Sequence, residues 1–222
     1  FVERGVYPGR VPASSGTRPR AERLPRSERR AQLVDVASDV FVEFGYHAAA
    51  MDEIAERAGV SKPVLYQHFP GKLELYTAIV SEACNEVVAS LEAAMSSSTV
   101  HRDRVAATVA VWYDFVADGG KSYRLVFESD LTNEPHVRSL LDKFNFDAAT
   151  VIAERVTEDT NIPLDAALVI AGSLVGAGQV GARTWVSSDS SMSREDAVAL
   201  SASLLWRGLS GLPVAVSPDT AN

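Results

Sequence analysis

The chain is poor in the residues that mark several protein classes. Of its 222 residues one is cysteine, Cys84, which rules out an intramolecular disulfide framework and a cysteine-rich metal site. The histidines are His47, His68, His101 and His136. None of them shows the i, i+4 pairing of a helical zinc site, so no metal is expected. No apolar run reaches the ~20 residues that a membrane span needs. The longest uncharged stretch, 166–182, is rich in Gly and Ser and reads as a buried packing helix rather than a span. The opening FVERGVYPGR lacks the apolar centre of a secretory signal, so a cytoplasmic protein with no membrane partner is expected. Strand alternation is also missing. From Ser27 nearly to the end the apolar spacing is helical, which makes the expected fold class all-α, and no internal repeat is visible.

An excess of positive charge is absent overall, with a net charge of −8, but the distribution is uneven. Residues 1–72 carry eleven Lys and Arg against nine Asp and Glu, a net of +2, and the rest carries ten against twenty, a net of −10. Residues 1–30 alone hold eight Arg against three Glu. A basic end on an acidic body is what a DNA-contacting end shows, although a basic tail with no partner gives the same count.

Residues 1–24 are rich in Gly, Pro, Ser and Arg without periodicity and read as a flexible basic arm. A first helix carries Leu33, Val36, Ala37, Val40, Phe41 and Phe44 on one face, with Gly45 as its C-terminal cap. A second helix runs from about Met51 to Ala58, and Gly59-Val60-Ser61 form a turn. Ser61 caps a third helix ending near Phe69, and Pro63 falls in its tolerant first turn. Pro70-Gly71 closes this unit, so the expected domains are 25–71 and 72–222.

A long helix follows from Lys72 to about Met95, with Leu75, Tyr76, Ile79, Ala83, Val87 and Leu91 on its apolar face. The next carries Val105, Val109, Trp112, Phe115 and Val116 and stops at Gly119-Gly120. A short aromatic segment spans Tyr123 to Leu131, and helices are expected at about 134–159, 163–187 and 193–210.

The segment MDEIAERAGVSKPVLYQHF, Met51 to Phe69, has the form of a helix-turn-helix: two short helices joined by a tight turn containing Gly. Ile54, Ala55, Ala58, Val60, Leu65 and Phe69 can hold the helices crossed, and Gly59 supplies the left-handed turn. Lys62, Pro63, Val64, Tyr66, Gln67 and His68 then face a groove. Lys62 and Gln67 suit the edges of guanine and adenine, and Val64 suits a thymine methyl. Ser61, Tyr66, His68 and Lys72 suit phosphates, which position the helix without reading sequence. On spacing alone, a helical hairpin in another all-α protein remains open.

The run IAERAGVSKPVLYQHFPGKLELY resembles the signature of the TetR family, IA-x-x-AGVS-x-x-x-LY-x-HF-x-x-K-x-x-L. Ile54, Ala55, Ala58, Gly59, Val60, Ser61, Leu65, Tyr66, His68, Phe69, Lys72 and Leu75 all match it. The run covers about a tenth of the chain, and the helix number and lengths suit the family's nine-helix fold. In one place the sequence departs: Ala49-Ala50-Met51 stand where the family has Thr as cap and phosphate contact. That leaves Asp52 as the replacement cap. The stretch from Leu24 to Tyr76, and SYRLVFESDL at 122–131, are similar to the actinobacterial regulators of fatty-acid synthesis that sense long-chain acyl-CoA.

The resemblance implies a DNA-binding head and an effector cavity in the body, with no other cofactor. Val87, Leu91, Met95, Trp112, Phe115, Phe127 and Phe144 are the candidate lining, with Phe146 beside them; the same residues also read as packed core. A long acyl chain suits such a lining, because each buried methylene is worth about 0.8 kcal/mol. The resemblance also implies a homodimer through the last two helices. Their material is the small apolar segment 166–182 and a face with Val198, Ala202, Leu205, Trp206 and Leu209. Two-fold symmetry then sets the reading helices about 34–36 Å apart on a palindromic operator.

Enzyme readings fare poorly. Gly176, Gly178 and Gly181 match G-x-G-x-x-G, but in a helical run without the strand that the dinucleotide fingerprint needs. Cys84 sits on an apolar face as a core thiol, and the surroundings of Ser173 do not fit a nucleophile elbow. The reading is a DNA-binding regulator of lipid genes whose DNA affinity long-chain acyl-CoA modulates. The runner-up is a repressor of efflux or catabolic genes that answers a drug-like or aromatic molecule. A small all-α enzyme or adaptor without DNA binding is the third, and salt-dependent duplex binding separates it from the other two.

Overall fold

The computed structural model describes residues 24–117, 120–188 and 191–209, the last without its side chain. The expected arm, apart from Leu24, lies outside the described residues, as do Gly119 and the side chain of Leu209. Among the described residues there are nine helices and no strand: α1 (Arg26–Ala48), α2 (Met51–Arg57), α3 (Lys62–His68), α4 (Lys72–Ser96), α5 (His101–Ala117), α6 (Lys121–Phe127), α7 (Pro135–Thr160), α8 (Leu164–Ser187) and α9 (Arg194–Leu209).

These bounds follow from local chemistry. The long α4 starts directly after the Pro70-Gly71 break and buries the full apolar face read from the sequence. At its far end the Ser97 hydroxyl donates to the Ala94 carbonyl at 2.7 Å. Glu134 caps α7: its carboxylate accepts from the backbone N–H groups of His136 and Val137 at 2.8 and 3.0 Å. Pro135 supplies the preset first helical turn. The His136 side chain first, and these N–H groups after it, hold the Glu134 carboxyl below its ordinary range. Asn161, at φ 59°, ends α7 in the left-handed region that Asn tolerates.

α4 is the spine. It packs on α1 and α6 at one end and on α5 and α7 along its length, while α7 packs on α8, and α5 on α8 and α9. Tyr76 Oη donates to the Leu125 carbonyl at 2.6 Å, tying α4 to α6. Lys121 of α6 pairs with Asp39 of α1. Phe41, Tyr46 and Tyr76 pack together at this corner, with Tyr76 set edge-on to the other two rings.

The expected break at Gly45 is present (φ 72°, ψ 164°), with a short helical turn beyond it to Ala48. Four other expectations are corrected. Phe44, just before the break, is turned outward and exposed, with the Arg57 guanidinium 5.2 Å from its ring centre. Phe146 is 61% exposed, because α7 turns it away from Phe144 on the core face. Asp52 does not cap α2: Ala50 holds the cap position and no side chain bonds there. The stretch 166–182 is not buried all round. Ala167, Ala171, Val175, Gly178 and Ala182 form a buried stripe, whereas Val169 and Val180 are exposed, as are Leu200 and Leu204 of α9. With its flanks, α8 is long and apolar enough to cross a membrane by length and composition. The apolar half that faces outward is also what a helical subunit interface would cover.

Candidate functional site

The head is built on a small core. Ile54 and Leu65 are fully buried, Ala55, Ala58 and Phe69 nearly so, and Val60 packs against them. The turn closes through the Val60 N–H to the Ala55 carbonyl and the Gly59 N–H to the Glu56 carbonyl, both 3.0 Å. Gly59 lies at φ 64°, a region that penalises a side chain. Gln32 Nε2 donates to the Ala58 carbonyl at 3.2 Å, fixing the turn to α1.

Burying Leu65 determines which face α3 presents. Ser61, Lys62, Pro63, Tyr66 and Gln67 are exposed, and Val64 and His68 half-buried. Seven of the eight predicted DNA-contacting residues therefore share one accessible surface. Ser61 holds the cap position but makes no side-chain cap bond, which leaves its hydroxyl for another acceptor. Lys62 is ion-paired with Asp52. Both side chains are well exposed, so the pair is worth little and can exchange for a phosphate or a base.

Lys72 differs from the expectation. Its ammonium donates to the carbonyls of Tyr46, His47 and Ala49 at 2.7, 3.1 and 2.9 Å and lies 4.6 Å from the Tyr46 ring centre. An ammonium has three donors, and all three are engaged. Lys72 therefore clamps the end of α1 to the start of α4 and is not a free phosphate ligand.

Two residues missed by the sequence reading join the surface. Arg26 and Arg29, at the start of α1, line an open cleft of about 710 Å³ with Ser61, Val64, Gln67 and His68. The arginine excess was visible, and so was their i, i+3 spacing on one helix face; only the packing of α1 beside α3 was not. Arg30 is used differently. It pairs with Glu82 of α4 and lies 5.1 Å from the Phe69 ring centre. Burial first, then Arg26, Arg29 and Arg30, pull the His68 imidazole below its ordinary 6.5, so His68 is neutral at pH 7.

In the body, the seven predicted lining residues do not surround one cavity. Met95 and Trp112 border an apolar cavity of about 30 Å³ together with Ile152, Leu174 and Leu205. Val87 and Phe115 line a separate open cleft of about 540 Å³ whose rim carries Glu86 and Asp114. Leu91 is wholly buried. Phe144 stands 6.0 Å from Trp112 and 6.4 Å from Phe127, and Phe127 stands 6.2 Å from Phe115, centre to centre. The aromatics pack on one another, and a cavity that small is far below the volume of an ordinary ligand site. A molecule of ordinary ligand size fits this interior only where the packing parts. Cys84 is buried and its thiol is pushed up to about 12 by burial, which makes it inert. Among the described residues no group of His, Cys, Asp and Glu could hold a metal ion.

Residues 33–79 match the family described as bacterial regulatory proteins, tetR family. The chain is 40% identical over 200 residues to the HTH-type transcriptional activator FasR of Mycolicibacterium smegmatis, covering 90% of this chain and 91% of that one. Among solved structures it resembles a TetR-like regulator from a Rhodococcus species, with TM-score 0.66 and 29% identity over 86% of this chain and all of that one. It also shares its fold with the regulator FadR of Bacillus subtilis, solved with stearoyl-CoA, at TM-score 0.65 and 21% identity over 82% and 99% of the two chains.

Proposed function

From the premise that this chain belongs to the TetR family of bacterial regulatory proteins, we propose that it is a homodimeric, cytoplasmic regulator of lipid-synthesis genes whose hold on a palindromic operator changes with long-chain acyl-CoA. Its relatives are transcription regulators, not enzymes. Residues 25–71 serve as the DNA-binding head and 72–222 as the sensing and dimerising body. The observation that carries the DNA half is the single exposed surface formed by Lys62, Tyr66 and Gln67 beside Arg26 and Arg29.

Three features support the lipid half: the likeness of 122–131 to acyl-CoA-sensing regulators, the stearoyl-CoA complex of a protein with this fold, and the apolar aromatic interior. Effector entry between α4, α5 and α7 shifts α4. From Lys72 to Met95 that helix spans roughly 35 Å at 1.5 Å per residue, and at its start Lys72 is bonded to the end of α1. The ligand moves this balance only through unequal affinity for the two arrangements. The exposed apolar faces of α8 and α9 supply the subunit interface.

The acidic rim of the α4–α5 cleft favours the second reading. Glu86, beside Val87 and Phe115 in that cleft, suits a cationic or aromatic molecule better than the phosphates of CoA, as in a regulator of efflux or catabolic genes, while Asp114 is already paired with Arg194.

The test is titration of fluorescent duplexes, taken from upstream of the chain's own gene and of neighbouring lipid genes, across a salt series. Affinity is expected to fall steeply with salt. Lys62→Ala and Gln67→Ala are expected to cost about 1–3 kcal/mol each on the correct operator and far less on random DNA. Equal losses on both kinds of DNA would remove these residues from base reading, and salt-insensitive or absent binding to every duplex would favour an adaptor.

Proton linkage gives a further expectation. Burial first and then the nearby arginines hold free His68 below its ordinary range, and an arriving phosphate stabilises its charged form. Bound His68 then has the higher pKa, so DNA binding takes up a proton, and affinity rises as pH falls through the bound-state pKa toward the lower free-state one. His68→Gln is expected to flatten that profile, and an unchanged profile in the variant would assign the proton elsewhere.

A further inference from the structure

Tyr123 of α6 is only 4% exposed, and its hydroxyl is enclosed without a hydrogen-bond partner. Buried tyrosine hydroxyls ordinarily find one. The charged groups that face it are Glu128, at the end of α6, and Arg183, near the end of α8, and both lie near enough to act on the hydroxyl through hydrogen bonding as well as charge, though neither meets it in ordinary hydrogen-bond geometry. Arg183 itself is exposed. Burial first and Glu128 second push the phenol above its ordinary range, against the pull of Arg183, so it stays a neutral donor.

The ring of Tyr123 opens a row of aromatics. It lies 5.6 Å from Phe127, Phe127 lies 6.4 Å from Phe144, and Phe144 lies 6.0 Å from Trp112. Trp112 borders the small apolar cavity beside Met95 and Leu205. The row therefore has a polar end, where a donor waits unmet next to a rim arginine, and an apolar end that already contains empty space. A molecule with one carbonyl, an anionic head beyond it and a long alkyl chain has the same order of polarity.

We propose that Tyr123 is the polar anchor of the effector site: its hydroxyl donates to the acyl carbonyl of a bound thioester, the chain runs past Phe127 and Phe144 toward Met95, and Arg183 meets a phosphate of the CoA head. The inference rests on the lipid reading above. Glu128 repels a carboxylate at the same place, so the site prefers a thioester to a free fatty acid. The cavity at the Met95 end is too small to hold the chain as it stands, and the chain's terminus makes its room by displacing the Trp112 and Phe144 rings.

Calorimetric titration of the full chain with palmitoyl-CoA and with palmitate, alongside thermal unfolding of the unliganded protein, tests this. Tyr123→Phe is expected to weaken palmitoyl-CoA about tenfold, the loss of one good hydrogen bond. Its unliganded Tm is expected to stay close to the parent's, because no hydrogen bond of ordinary geometry is lost. Arg183→Gln is expected to weaken palmitoyl-CoA by a similar factor and to leave palmitate unaffected. If the parent binds palmitoyl-CoA and both variants bind it equally well, the anchor is wrong while the lipid reading stands. A Tyr123→Phe protein whose unliganded Tm drops by several degrees would assign the hydroxyl a structural bond and overturn the proposal. A parent chain that binds no palmitoyl-CoA would overturn the lipid reading itself, and the anchor with it.

Discussion

Trp112→Ala is expected to destabilise the chain by about 3–5 kcal/mol, the range for truncating a large buried aromatic. Trp112 is 2% exposed and sits where α5, α7 and α8 meet, edge-on to Phe144 and against α8 at Gly178. A Cβ built on Gly178 would lie 2.8 Å from Trp112 Nε1 and nearer still to Cδ1. Gly178 is therefore the surface on which the indole rests, and this packing explains the glycine better than any nucleotide fingerprint. Gly178→Ala is expected to cost about 1–3 kcal/mol through overpacking. Trp112→Phe should recover part of that loss, since the smaller ring leaves room for the methyl. Urea unfolding of both single variants and the double variant measures the coupling, and strictly additive losses would show that the two side chains do not press on each other.

Asp159→Ala is expected to cost about 3–5 kcal/mol, because it leaves a buried cation unpaired. Arg104 is 4% exposed. One guanidinium nitrogen pairs with Asp159 near the end of α7 and another donates to the Ser98 carbonyl at 3.1 Å. The two partners are not equivalent. Asp159 is 21% exposed and has Arg155 as a further cationic neighbour at 3.8 Å, with the His101 ring at the same distance. Arg104→Met leaves a carboxylate that water and Arg155 can still serve, so its loss is expected to be clearly smaller. Denaturant midpoints of the two variants decide the matter, and a larger loss from Arg104→Met would mean that Asp159 depends on Arg104 for its solvation. The pair fastens the start of α5 to the end of α7, so both variants are expected to loosen the body at the end remote from the head.

Much of this architecture was legible because helix signals are local. Pro163 and the serine run after Met95 mark helix ends that the structure reproduces within a residue or two. Gly59 takes the left-handed turn that its place between two short amphipathic segments requires. The exposed face of α3 was equally readable, since burying Leu65 and Phe69 forces Tyr66 and Gln67 outward. What stayed hidden depends on contacts distant in sequence. Lys72 matches a phosphate-contact pattern, but the carbonyls of Tyr46, His47 and Ala49 had no intrahelical partner left after the break at Gly45, and they captured it. Phe44 fits the apolar period of α1, yet the same break turned it outward under Arg57. Phe144 and Phe146 are two residues apart and so cannot share a helix face. The pocket was the least legible feature, because helical spacing puts Trp112, Phe127 and Phe144 inside without telling whether they enclose a ligand or one another.

Lipid sensing is tested most directly by the affinity of the purified full chain for its operator duplex with and without palmitoyl-CoA, with acetyl-CoA as the control for the CoA head. A change with palmitoyl-CoA that acetyl-CoA does not reproduce is the predicted result. Tight, salt-sensitive operator binding that neither thioester alters would contradict the lipid-sensing mechanism and leave a DNA-binding regulator that answers a different effector.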